Sequence, residues 1–448
     1  TPIGVLRLFL VRRQKLDQQI RFTKEMNALL RRFQQEQCET ASYASQSDFS
    51  HFDGIANQIS AASFSLLEQG LIQRVQAWNL FLSDIYGEGA ILSAGIVPDQ
   101  LVFSAKAYSP QCQQLVPPGS VYCQAVMMQL LQEPDGAWYV LKEDSLQLRG
   151  VGHALLARAL TKQCAPTMLE SASVLDSLQL IGQFQKMMDA VNCGGENVVL
   201  LSHPDPDARL ELAYLAKQAG CLAVEPSALS VVQDVLYCFV NGVEKRVGAL
   251  YRCIPDALLD PVTFDAESTI GVPGLMAAYR AGNVAILNAP GSGLMNDYLF
   301  YYYMPQIISF YLEERPILRS VPTYLPTQKK DRAYVLKNLK NLMLYDSHSG
   351  QLVCNGSQLR EEQFQKIKSM VQRNPERFLA QEQVFPAPMS YVQGNAIACT
   401  RSSCVHAVVL TGEQTRVWQG GVTRFEAQNE SGWKDTWIVD TERKTEPK

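Results

Sequence analysis

Apolar positions recur at helical spacing from Val5 to about Gln37, a stretch without Gly or Pro, and predict one long N-terminal helix. Cys38 to Phe52 is rich in Ser, Gln and Asp and reads as a loop. Helical spacing returns from Ala61 to Tyr86, with Ser60 and Ser63 as caps and Leu66, Leu67, Leu71, Ile72, Val75, Leu80 and Leu82 on the apolar face. The pattern then changes to two extended apolar runs between Val121 and Leu141, separated by Pro134-Asp135-Gly136. That tripeptide signals a hairpin, because Pro presets one turn dihedral and Gly takes the left-handed one. Val151 to Leu160 and Leu175 to Val191 read as helices.

An α/β unit follows. Val198 to Leu201 is a short buried strand, Asp207 to Ala219 a helix ending at Gly220, and Cys221 to Val224 the next strand. A second hairpin is expected around Asn241-Gly242. Gly271 to Gly293 combines a Gly-Val-Pro-Gly start, a small-residue helix, the strand Val284 to Leu287 and a second glycine turn. Strand, glycine turn and helix can present backbone N–H groups to an anion, although the same glycines also serve tight packing alone. No Lys lies in the turn, as a phosphate loop would require. Tyr298 to Leu312 reads as an aromatic-rich helix through Pro305 whose rings serve packing. Beyond Pro326 the expected order is a helix from Leu336, the strand Leu342 to Tyr345, a polar loop Asp346 to Gln351, a charged helix Glu361 to Arg373, and short strands that include Val405 to Leu410, Thr415 to Trp418 and Trp437 to Val439.

A chain of 448 residues exceeds one core, and these patterns divide it into residues 1–50 (helix and loop), 51–190 (helical segment plus hairpin), 191–330 (α/β unit) and 331–448. The formal net charge of -4 gives no electrostatic footprint for nucleic acid. No apolar run is long enough to span a bilayer. The 11 cysteines never form Cys-x-x-Cys and the 5 histidines are isolated, which points to buried thiols in a reducing cytoplasm and away from a zinc site. Cys404 and His406, two apart on an expected strand, share one face, but no orienting acid accompanies them.

Several consecutive segments resemble the circularly permuted ATP-grasp proteins related to glutathionylspermidine synthase: Gly70 to Glu88, Asp135 to Leu141, Tyr251-Arg252 with Leu259 to Pro261, Gly271 to Gly293, Val321 to Tyr324, Ala380 to Glu382, Gly420 to Arg424 and Lys434 to Trp437. The resemblance implies an α+β fold, ATP-grasp-like and circularly permuted, with an inserted α/β pre-ATP-grasp-like unit and an N-terminal helix. It implies ATP and Mg as cofactors and a reaction in which a phosphorylated carboxylate is attacked by an amine. By the same resemblance Arg252, Arg280, Asp297, Arg424 and Lys434 fall at catalytic positions, Gln381, Glu382, Gly291, Ser292 and Gly293 at nucleotide positions, and Glu143 and Asp144 at metal positions.

The chain departs from the family pattern where charge is needed. Gln129 stands for a metal-binding Asp, and Lys142 to Gly150 lacks the expected Asn and matched Arg. Leu344 to Gly350 has no Lys and one Gly where a glycine-rich phosphate loop belongs, Cys404 replaces an acid, and Tyr298 replaces a Lys. Losses grouped on metal and triphosphate positions lead to the expectation of a binding or regulatory pseudoenzyme, with ATP and Mg only if the nucleotide site still works. Its partners would be a small amine- or carboxylate-bearing metabolite or peptide, an active ATP-grasp paralogue, or a second copy of itself. The alternative is an active ATP-dependent carboxylate–amine ligase.

Overall fold

The computed structural model describes residues 17–32, 51–203, 205–427 and 430–440. Its centre is an eight-stranded sheet in the order Phe52–Ser60, Ser431–Val439, Val422–Glu426, Ser403–Thr411, Ala125–Gln132, Trp138–Asp144, Arg319–Ser320, with Thr415–Val417 also paired to Ser403–Thr411. Pairing is antiparallel through the middle and parallel at both edges. Side-chain alternation sends Val405, Ala407 and Val409 to one core and Val408 and Leu410 to the other. The first core is filled by helices Ala61–Ile85 and Leu299–Leu312, where Trp78, Phe81 and Phe300 meet edge-on or tilted at 5.5 to 6.4 Å. The second core is filled by helices Val151–Cys164, Gln179–Val191 and Pro206–Gln218, joined by Met26 and Leu30 of a helix over residues 17–32.

A six-stranded sheet carries the inserted unit. Leu222–Val224, Glu196–Leu200, Val243–Tyr251 and Ala285–Leu287 run parallel, and Val235–Val240 and Leu229–Val232 extend it as an antiparallel meander. A third, four-stranded antiparallel sheet (Thr323–Tyr324, Phe378–Glu382, Leu342–Asp346, Leu352–Asn355) packs on helices Lys329–Asn338 and Glu361–Arg373. Among the described residues no helix is long and apolar enough to cross a membrane.

Both expected hairpins form. Gly136 has φ +88°, and Asn241 and Gly242 have φ 53° and 78°, the doubly left-handed turn that matches strand twist. Ser60 caps its helix by accepting from the Ser63 N–H at 3.1 Å. The N-terminal helix is described over residues 17–32, and the rest of that expectation, with most of the Cys38 to Phe52 loop, lies outside the described residues. The strand Phe52–Ser60 has no alternating pattern. It exists because a distant partner, Ser431–Val439, supplies its ladder. The C-terminal quarter divides: residues 342–382 build the small sheet, and residues 403–439 return to the centre of the main one.

Candidate functional site

The end of strand Val243–Tyr251 delivers Arg252 beneath a cleft of about 700 Å³ bounded by the 106–111 loop, the 255–265 turn, residues 293–297 and the 346–349 turn. Arg252 is buried and spends its donors inward: Nε on the Asn288 carbonyl at 3.0 Å, Nη1 on Ile254 O at 2.5 Å, and Nη2 on Asp256 Oδ1 at 2.5 Å and Ala289 O at 3.1 Å. Asp256 Oδ2 in turn accepts the Gly291 N–H at 3.0 Å, and Ser292 N–H bonds Ala289 O at 3.1 Å. The glycine turn therefore has its anion supplied from within, by Asp256. Gly291 has φ +95°, and a Cβ there would lie 2.6 Å from the Tyr86 ring, so glycine is required for packing.

Six residues after Gly291, at Asp297, the chain forms a strap to the small sheet. Buried Asp297 accepts from or pairs with His348 Nδ1 at 2.9 Å, and the Tyr298 N–H donates to His348 O at 3.1 Å. Burial raises the Asp297 carboxyl above its ordinary range, and His348 opposes that shift. The Tyr298 hydroxyl lies 3.0 Å from Gln381 Oε1, and the buried Gln381 donates through Nε2 to Thr323 Oγ1 at 3.1 Å. Glu382 accepts from Tyr324 and Tyr334 hydroxyls at 3.0 and 2.7 Å.

The 346–350 turn consumes its own donors. Asp346 Oδ1 accepts from Ser349 N at 3.0 Å, Ser349 Oγ at 2.9 Å and His348 N at 3.3 Å, and these bonds, led by Ser349 N, pull its carboxyl below the usual range. The Asp-Ser-His-Ser-Gly sequence is an Asx-turn signature and was a readable signal for this self-capped geometry.

The remaining positions are dispersed. Glu143 is buried against Arg74, Nε to Oε1 at 2.6 Å, while Asp144 accepts from Leu146 N, Gln147 N and Asn296 Nδ2 at 2.8 to 3.1 Å. Arg74, on the helix Ala61–Ile85, lies within the family-like segment Gly70 to Glu88 but was not singled out from sequence. Lys434 lies wholly buried, 2.7 Å from Asp53 Oδ1 and 3.0 Å from Ile55 O, and burial lowers its ammonium despite that partner. Arg280 is exposed and donates to Gln111 O at 3.2 Å at the far edge of the cleft wall. Arg424 lies opposite Cys404 in the main sheet. Cys404 Sγ and His406 Nε2 are 3.6 Å apart, on one face as expected, with Arg149 O rather than an acid behind the imidazole at 3.4 Å. Burial pushes the thiol up to about 11 and the imidazole down to about 4, so both stay neutral near neutral pH. The structure thus brings Arg252, Gly291, Ser292, Gly293 and Asp297 together at one cleft, joins Gln381 to it through Tyr298, and sets Glu143, Lys434 and Arg424 elsewhere in the main sheet.

A main sheet facing a small antiparallel sheet, with a cleft beside their junction, defines an ATP-grasp-like protein. The chain belongs to the family described as circularly permuted ATP-grasp type 2, which matches residues 58–426. It is 31% identical over 402 residues to an uncharacterised protein, sll0335, of Synechocystis, covering 86% of this chain and 84% of that one. An uncharacterised protein of Mycobacterium leprae, ML0605, is 29% identical over 86% of this chain and 72% of its own. A Frankia alni protein named "Putative glutamate--cysteine ligase 2-3" is 30% identical over 86% of this chain, which spans 46% of that protein.

Proposed function

We propose that this chain binds a small amine- or carboxylate-bearing metabolite, or a peptide end, in the 700 Å³ cleft and does not turn over magnesium-ATP. The observation that carries the reading is Tyr298, whose hydroxyl engages Gln381 and fills the junction between the sheets. The residues at the metal positions do not fit magnesium: Glu143 is neutralised by Arg74, Asp144 caps its own turn, and among the described residues no three His, Cys, Asp or Glu converge as a metal set. The donors of the 346–350 turn are spent on Asp346 rather than open to a phosphate. The cleft rim, by contrast, carries exposed Lys106 and Asp265 with half-exposed His348, opposite charges that suit a zwitterion. Residence in the cytoplasm, self-association and pairing with an active ATP-grasp paralogue belong to this reading. Calorimetric titration of the chain with magnesium-ATP is expected to give no binding heat, and metal-dependent binding overturns the proposal.

A second reading, an ATP-dependent carboxylate–amine ligase, is favoured by the name of the Frankia relative. It requires Glu143 to leave Arg74 for a metal. Under it, Glu143→Gln abolishes nucleotide turnover, whereas under the first reading there is no turnover to lose.

A further inference from the structure

A groove of about 770 Å³ runs between helix Gln179–Val191 and the hairpin of Ser403–Thr411 with Thr415–Val417, and it shares no lining residue with the 700 Å³ cleft. Met187 and Leu410, both buried in the second core, give it an apolar floor. The hairpin turn closes on the helix at Gly412, where an added Cβ would lie 3.2 Å from Met187 Cα, so close packing fixes the spacing of the two walls. Along the helix wall Gln179, Gly182, Gln183, Lys186 and Ala190 recur at helical spacing and form a stripe about 16 Å long.

Three features of the groove are left open by the fold. Gly182 lies in the helix interior, where glycine is less favourable than alanine, yet a Cβ there would meet nothing within 4 Å. No packing contact calls for it, and its effect is to leave the helix backbone open to whatever lies in the groove. Gln183 ends a relay of side-chain amides: Gln179 Nε2 donates to Gln419 Oε1 at 2.5 Å, and Gln183 Nε2 donates to Gln179 Oε1 at 3.5 Å. The relay leaves Gln183 Oε1 covered from solvent and without a hydrogen-bond partner among the described residues, an arrangement that costs free energy until a donor arrives. Lys186 on the helix and Glu413 on the facing turn are both exposed, and neither has an ion-pair partner among the described residues. Their neighbours Arg416 and Asp189 are engaged, with Gln414 Oε1 at 2.6 Å and Asn197 Nδ2 at 2.6 Å.

We infer that this groove is a second binding site, for a short extended peptide with free ends. Its main chain lies over Gly182 and an apolar side chain rests on Met187 and Leu410. One of its amide N–H groups donates to Gln183 Oε1 once that amide turns outward about its last torsion. Its carboxylate faces Lys186 and its ammonium faces Glu413. A simple anion or a simple cation matches one of the two open charges, and an apolar ligand matches neither and leaves Gln183 unserved. The volume lies in the range that takes a ligand of this size. The site is independent of the cleft and of whether the chain turns over ATP.

The probe is the tripeptide Gly-Leu-Gly, titrated by calorimetry into the full chain and followed by amide exchange. Binding is expected to slow exchange over residues 179–190 and 411–416. A form acetylated at the N-terminus and amidated at the C-terminus, which lacks both charges, is expected to bind several-fold more weakly. Gly182→Leu fills the groove with a better helix former, so it is expected to raise the melting temperature while abolishing the peptide's protection of both segments. Lys186→Met is expected to weaken binding several-fold with the melting temperature unchanged. Absence of protection over these segments, protection that persists in G182L, or equal affinity for the charged and capped peptides each overturns the proposal. A lowered melting temperature in G182L would show that the glycine serves packing, and overturns it too. Tripeptide heat that survives G182L with no protection of either segment belongs to the cleft, so failure of the groove and failure of the cleft reading are told apart.

Discussion

The cleft and the junction between the two sheets share a backbone segment but are built oppositely. Asp297 lines the cleft, and its neighbour Tyr298 packs into the junction. In the cleft the chain leaves about 700 Å³ with charged groups at the rim; at the junction the Tyr298 ring lies against Tyr301 and Tyr345. Asp346 takes the backbone donors of its own turn, and the Glu143 carboxylate is paired with Arg74. Elsewhere Glu211 accepts from Gly150 N and Gly152 N at 3.0 Å, and Asp260, in a segment that matches the family, from Val262, Gly274 and Met276 N at 2.9 Å. An internal carboxylate satisfies such donors at lower entropic cost than a free anion, because folding already fixes its position.

The comparison breaks first at Arg252. Arg252→Ala removes five donated bonds and leaves Asp256 buried without its cation, which is expected to cost about 3–5 kcal/mol. Denaturant unfolding measures it, and a loss below about 1 kcal/mol would mean that the cleft floor is not built on this pair. Next in size is the pH response of His406, buried in the main sheet opposite Gln129. Its folded value, about 4, lies below the ordinary one near 6.5, so the unfolded chain binds the extra proton between them. Stability from this group is therefore full above about pH 6.5 and lost as pH falls through about 4, on the order of 3 kcal/mol in total. Unfolding curves across that window, with His406→Asn as the flattened control, check it.

Legibility followed the range of the interactions. The two hairpins, the βαβ unit and the helix Glu361–Arg373 depend on local turn chemistry and periodicity, and each was readable. Family likeness supplied the overall architecture and the nucleotide-side strand Phe378–Glu382. What stayed hidden were pairs across long separations: Arg74 with Glu143, Lys434 with Asp53, and Tyr298 with Gln381. Lys434 illustrates the limit. In sequence it is a matched cation, and only the parallel ladder to Phe52–Ser60 reveals that its charge is spent on Asp53.

Two smaller effects sharpen the contrast between filled and open. Tyr298→Phe leaves the buried Gln381 carbonyl without its donor and is expected to cost about 1–2 kcal/mol. His348→Gln tests the strap from the cleft side. The imidazole is 38% exposed and its carboxylate partner 3%, so solvent screens most of the pair's attraction, and the loss is expected to stay below about 1 kcal/mol. The removal of the imidazole next to Asp297 nevertheless has a direction that screening does not cancel. Burial already raises that carboxyl, and His348, by hydrogen bond and charge, opposes the rise together with the Leu299 N–H. Without it the Asp297 carboxyl titrates still higher, nearer to neutral pH. The readout is the Asp297 side-chain carbon shift followed by NMR against pH, and a midpoint that does not move upward in His348→Gln would mean that the two lobes are held by the Tyr298 contacts alone.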